Sequence, residues 1–290
     1  MSRLRVARIP YLNSVPFYGL LEGAEVELID LPPRELGAAA ARGQVDAGIM
    51  SMCDVFRSPQ FEPLGAMGEA ADGPAHSVLL LAKVPPSELQ GATVAITTET
   101  STSYPLLRLL LERRYRVRPS MFVRRSSGPL DGDDALLLIG DQALRVAAGA
   151  GLQPGTTDYS RGLIRLATAG RAQPWAWALD LAMAWKQWQG MPFVFARWVV
   201  RCDVALSQRA RLLDLLSRSL EESLRELRSR AAEHAAGTGL QSDAAYAYLM
   251  GFTYRLGPVE LDAIERFRSQ LAGAPWWEAS RPAALSRSLT

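Results

Sequence analysis

Val6-Ala7-Arg8-Ile9, then Tyr11-Leu12-Asn13-Ser14-Val15-Pro16, then Phe17-Tyr18-Gly19-Leu20-Leu21, reads as a strand, a polar loop and the start of a helix. The same order returns at Val94-Ala95-Ile96-Thr97, Thr100-Ser101-Thr102-Ser103-Tyr104-Pro105 and Leu106-Leu107-Arg108-Leu109-Leu110-Leu111. Ser-x-Pro recurs at Ser14 and Ser103, an offset of 89 residues. In each copy the serine suits an N-cap, because its hydroxyl accepts from a first-turn N–H. The proline is tolerated in the first turn, where its missing N–H costs nothing. A second echo keeps pace. Asp46-Ala47-Gly48-Ile49-Met50-Ser51 precedes Met52-Cys53-Asp54, and Asp134-Ala135-Leu136-Leu137-Leu138-Ile139-Gly140 precedes Asp141-Gln142-Ala143, an offset of 88. Two echoes in one order predict two α/β lobes of similar topology.

The remaining segments extend this plan. Pro32-Pro33-Arg34-Glu35 opens an Ala-rich helix that stops near Gly43. Residues 76–84 predict a strand, with Pro85-Pro86 as a boundary. Residues 193–201 predict a strand returning to the first lobe. From Ser207 the leucines fall three or four apart, which predicts helix. Further helices are expected from Ser242 and from Pro258. Residues 151–178, rich in Gly, Arg and Thr, predict a long loop. Crossings near 84 and 201 divide the chain into a discontinuous lobe 1 (1–84 and 202–290) and a lobe 2 (85–201). Such lobes hinge around a ligand.

Composition narrows the partners. The 290 residues are 48% hydrophobic and 21% charged, with 32 basic and 30 acidic side chains and a net charge of +2. That balance argues against nucleic acid or an anionic membrane surface. No run reaches about 18 apolar residues, so no membrane span is expected. The first residues enter a strand-like run without the apolar stretch of a secretory signal, which leads to an expected cytosolic location. Cys53 and Cys202 are expected as reduced, buried thiols. His76 and His234 have no metal-ligand spacing, and no metal is expected. Neither Gly-x-x-x-x-Gly-Lys nor Gly-x-Gly-x-x-Gly occurs, so no nucleotide cofactor is expected. Trp185, Trp188 and Trp198 are expected in the core.

In open α/β sheets, ligands bind beyond the carboxyl ends of the strands. Four such ends are marked here: 10–14, 51–52, 98–103 and 140–141. Each precedes a helix, whose first N–H groups carry partial positive charge suited to an anion. Asn13, Ser14, Ser51, Thr100, Ser101, Thr102, Ser103 and the Gly140-Asp141 turn are therefore the candidate ligand contacts. For Ser14 and Ser103, capping competes with ligand contact. Asn13 is harder to assign to capping, because a capping serine follows it.

At these same loops the chain resembles the menaquinone-biosynthesis family that includes chorismate dehydratase, of the futalosine pathway. The matching segments are residues 8–18, Asp72-Gly73-Pro74-Ala75-His76-Ser77-Val78-Leu79-Leu80, Thr102-Ser103, residues 135–145 and residues 185–196. The resemblance implies a two-lobed, type II periplasmic-binding-protein-like fold with a ligand cleft between the lobes. It also implies a hydro-lyase that removes water from chorismate, a small dicarboxylate, giving 3-[(1-carboxyvinyl)oxy]benzoate without a cofactor. Asn13 would then place the departing hydroxyl. Ser77, Thr102 and Ser103 would hold carboxylate oxygens, and Asp141 would meet the ligand or cap its helix. Met52 stands where the family often has serine, and His76 where it has a small or apolar residue, so neither is taken as a site residue. Two other readings stay open: a small-anion binding protein without chemistry, and the sister 1,4-dihydroxy-6-naphthoate synthase. The sister's Cys-Pro-Asn-Asp motif is absent from residues 11–14.

Overall fold

The computed structural model describes residues 3–126, 132–166 and 174–278. In chain order its strands are β1 (Leu4–Arg8), β2 (Val26–Asp30), β3 (Ala47–Ser51), β4 (Phe61–Ala71), β5 (Val78–Ala82), β6 (Thr93–Thr97), β7 (Met121–Arg125), β8 (Ala135–Ile139), β9 (Leu163–Arg165), β10 (Trp177–Asp180), β11 (Phe193–Arg201) and β12 (Phe252–Arg255). They form two six-stranded sheets, in the orders β12-β4-β11-β3-β1-β2 and β7-β6-β8-β5-β10-β9.

The internal echo is a structural repeat. β2-β1-β3 and β7-β6-β8 are both parallel triplets with the same neighbours. Even the register repeats at a constant offset of 88 residues: Val6 pairs with Ala47, and Val94 pairs with Ala135. β3 and β8 are buried along their whole length. That explains why both read as continuous apolar runs rather than alternating ones.

The lobes exchange strands. β5 leaves the first lobe and pairs antiparallel with β8 and β10 in the second sheet. β11 does the reverse, pairing antiparallel with β3 and β4 in the first. Both expected boundaries therefore move. The first crossing falls between Ala71 and Val78, not at 84, and the second between Gln189 and Phe193, not at 201. Pro85-Pro86 marks a turn inside the second lobe, because the pairing of a strand, and not the next proline, decides its lobe. Part of the stretch expected as a loop, 151–178, supplies β9 and the start of β10, an antiparallel pair at the sheet edge. Residues 167–173 of that stretch lie outside the described residues.

The two crossings are tied together. Asp180, at the end of β10 and fully buried, caps helix Leu181–Gln189 by accepting from Met183 N at 2.9 Å. It also accepts from the backbone of Ala75 (3.2 Å) and His76 (2.7 Å) in the first crossing. Lys186 pairs with Asp72 at 2.8 Å. Trp185 and Trp198 are fully buried, and Trp188 packs edge-on against Trp185. Both thiols are free. Cys53 is buried as expected, but Cys202 is exposed, because the turn after β11 carries it out of the sheet.

Candidate active site

The carboxyl ends of β1 and β3 meet those of β6 and β8 across a cleft. Its polar walls are Asn13, Ser51, Glu69, Ser77, Ser101, Thr102 and Ser103, with the Gly140 backbone beside them. Ile9, Val78, Ile139, Phe195 and Phe252 supply an apolar surface. The cavity these walls enclose is small, about 50 Å³. No Lys, Arg or His lines it among the described residues.

Helix capping does not consume these hydroxyls. Helices Met52–Val55 and Ser103–Leu109 begin at Ser51 and Thr102 without a side-chain cap bond. Ser51 is thus free to face the cleft. The Thr102 oxygen accepts from Cys53 N at 3.0 Å, which bridges the lobes and leaves its proton available. Ser101 lines both this cleft and the neighbouring pocket that holds Asp54, where its hydroxyl works against the rise that burial gives the Asp54 carboxyl. Ser77 lines the cleft, but its proton goes to the carbonyl of Ala75 (3.2 Å) and its oxygen accepts from the Tyr248 hydroxyl (2.9 Å).

Three expected contacts lie elsewhere. Ser14 is buried behind Asn13 and donates to Glu69 at 2.5 Å. Thr100 is buried in a neighbouring pocket with Arg34, Asp54 and Arg124, because the loop after β6 turns its side chain away from the cleft. Asp141 neither caps helix Gly140–Gly149 nor lines the cleft with Asn13. It accepts from Leu12 N at 2.9 Å, joining the lobes on the outer side.

Gly140 is placed by necessity. Its φ is +59°, and a Cβ there would stand 2.7 Å from the Tyr11 ring. Only glycine allows both the left-handed backbone and the close approach. The Tyr11 hydroxyl in turn donates to Glu99, the residue 88 positions on, so equivalent loops of the two lobes touch across the mouth.

Glu69 is the residue the sequence reading missed. It sits near the end of β4, opposite Ala196 of β11, and is 2% exposed. It accepts from Asn13 Nδ2 at 2.6 Å and from Ser14 Oγ at 2.5 Å. Burial pushes its carboxyl up to about 7, against the lowering effect of those two donors. Pro63, Gly65 and Gly68 break the alternation of β4 and hide it as a strand. The available signal was a lone glutamate among small residues, Gly68-Glu69-Ala70-Ala71. His76, tempting as a base, lies outside the cleft. Its ring packs edge-on against Tyr159, and burial holds it near 4.

Residues 4–272 match the Menaquinone biosynthesis family. The chain belongs to this family. Among its relatives is a chorismate dehydratase of Thermus thermophilus, 29% identical over 271 residues, covering 92% of this chain and 94% of that protein. A protein of Archaeoglobus fulgidus known from its crystal structure superposes with a TM-score of 0.69 at 18% identity, covering 93% of this chain and 97% of that one. The alkanesulfonate-binding protein SsuA of Xanthomonas axonopodis pv. citri, bound to MOPS, superposes with a TM-score of 0.57 at 13% identity, covering 96% and 93%. These likenesses establish the fold: this member of the family has the two-sheet architecture of periplasmic binding proteins.

Proposed function

We propose that this family member is a chorismate dehydratase, converting chorismate to 3-[(1-carboxyvinyl)oxy]benzoate and water in menaquinone biosynthesis. The observation that carries the reading is the lining of the cleft: Asn13 and a bank of hydroxyls, beside an apolar surface, without Lys, Arg or His. Such a lining orients an oxygen-rich ring; its carboxylate, Glu69, is already engaged by Asn13 and Ser14. The reaction asks for little more. The C–H proton next to the ring hydroxyl departs, its electron pair forms the new ring double bond, and the C–O bond breaks. The hydroxide leaves as water once protonated, and the ring becomes aromatic. Aromatisation supplies the driving force, so orientation and exclusion of water are the protein's main contributions. A carboxylate of the substrate takes the proton. Thr102 and Ser103 hold carboxylate oxygens, and Asn13 places the hydroxyl.

The test is incubation of the purified protein with chorismate, with chromatography for the enol-ether benzoate. Turnover is expected, with Asn13→Ala losing most of it. Binding of chorismate without turnover would instead support a small-anion binding protein.

A further inference from the structure

We propose that Glu69 is a positioning residue, resting on the dehydratase reading: it fixes the side-chain amide of Asn13 so that Oδ1 is presented to the ring hydroxyl of the substrate. An ionised carboxylate can only accept. With Glu69 accepting from Nδ2, the amide cannot rotate end for end without setting two oxygens against each other. Ser14 holds the other carboxylate oxygen, so Glu69 is itself fixed. The opposite end of the amide, Asn13 Oδ1, is shut off from bulk water and has no partner among the described residues. A buried, unpaired acceptor at a cleft wall is costly unless a ligand donor meets it. A hydroxyl supplies that donor, and an analogue lacking it would leave the acceptor unpaired, which makes the pair specificity-determining.

Protonation of Glu69 removes the constraint, because a carboxyl O–H can donate to a flipped Asn13 Oδ1. The titratable groups whose charges couple to Glu69 are the phenols of Tyr18, Tyr248 and Tyr254. Burial pushes all three up, so they stay neutral while Glu69 titrates. Arg197, one residue along the facing strand, is held down by burial alone.

The experiment measures kcat and KM for chorismate from pH 5.5 to 8.5 in wild type, Glu69→Gln, Asn13→Ala and the double variant. Wild-type kcat/KM is expected to fall about tenfold per pH unit below a midpoint near 7. The bound dianion should move the kcat limb to higher pH by like-charge repulsion. Glu69→Gln keeps the shape but can turn its own amide, and should lose about 10- to 100-fold in kcat with little change in KM and no acid limb. The double variant should be no worse than Asn13→Ala alone, because both act through one amide. Wild-type kcat and an intact acid limb in Glu69→Gln, or additive losses in the double variant, would overturn the proposal. Absence of wild-type turnover would overturn the dehydratase reading instead. The Asn13 side-chain amide resonances then judge Glu69 without chemistry: they should titrate near neutrality in wild type and not in Glu69→Gln, and an amide indifferent to pH would sink the contact.

Discussion

The backbone N–H of Leu12 donates to the Asp141 carboxylate at 2.9 Å, so the first loop of one lobe is fastened to the first helical turn of the other. Leu12 is buried and Asp141 half-buried. Removing the acceptor leaves the N–H unpaired, at about 1–3 kcal/mol. Asp141→Ala should therefore lower the urea midpoint and raise KM for chorismate. Asp141→Asn, which keeps an acceptor oxygen, should cost less. Equal losses in the two variants would show that the charge matters and the acceptor does not.

Gly140 faces the Tyr11 ring at a distance that no side chain tolerates. Gly140→Ala should cost about 1–2 kcal/mol from the left-handed backbone alone. The displaced Tyr11 would also loosen its bond to Glu99. Calorimetric melting checks this; an unchanged Tm would mean that the loop relaxes freely.

Ser77 and Tyr248 bond each other inside the core, 171 residues apart in sequence. Ser77→Ala strands a buried hydroxyl, an expected loss of about 1–3 kcal/mol. Ser77→Ala/Tyr248→Phe removes both partners and should be less destabilised than the sum of the single changes. Strict additivity in denaturant titrations would argue against the bond.

Glu69 also leaves a mark on stability. Its carboxyl titrates near 7 when folded and in the ordinary carboxylate range when unfolded. Between those values the folded state holds more protons, so this group's contribution is full at low pH and is lost as pH rises through about 7. His76, held near 4 by burial, acts in the opposite sense below neutrality. The useful quantity is therefore a difference, in which His76 cancels. The Tm of Glu69→Gln minus that of wild type should increase from pH 5 to pH 8. A difference that stays flat across the range would mean that Glu69 ionises normally. The ionisation invoked for catalysis is thus one that folding opposes.

The repeat was legible in the chain because β1, β3, β6 and β8 are central strands. Burial along the whole length of β3 and β8 demands continuous apolar residues, and Pro16 and Pro105 fall in the helical segments that follow β1 and β6, so local chemistry alone marks strand ends and the loops carrying Asn13 and Ser103. Sequence by itself thus determined that there are two similar lobes and which loops line the cleft. Which lobe β5 and β11 join depends on long-range pairing, invisible in a local pattern. So did the fates of Ser14, Thr100 and Asp141, whose side chains lie in the right loops but turn to Glu69, a separate pocket and Leu12. Glu69 itself emerged only when β4 brought it 2.6 Å from Asn13, 56 residues away in the chain. A buried carboxylate owes its role to the donors the fold sets around it, and those were decided by tertiary structure alone.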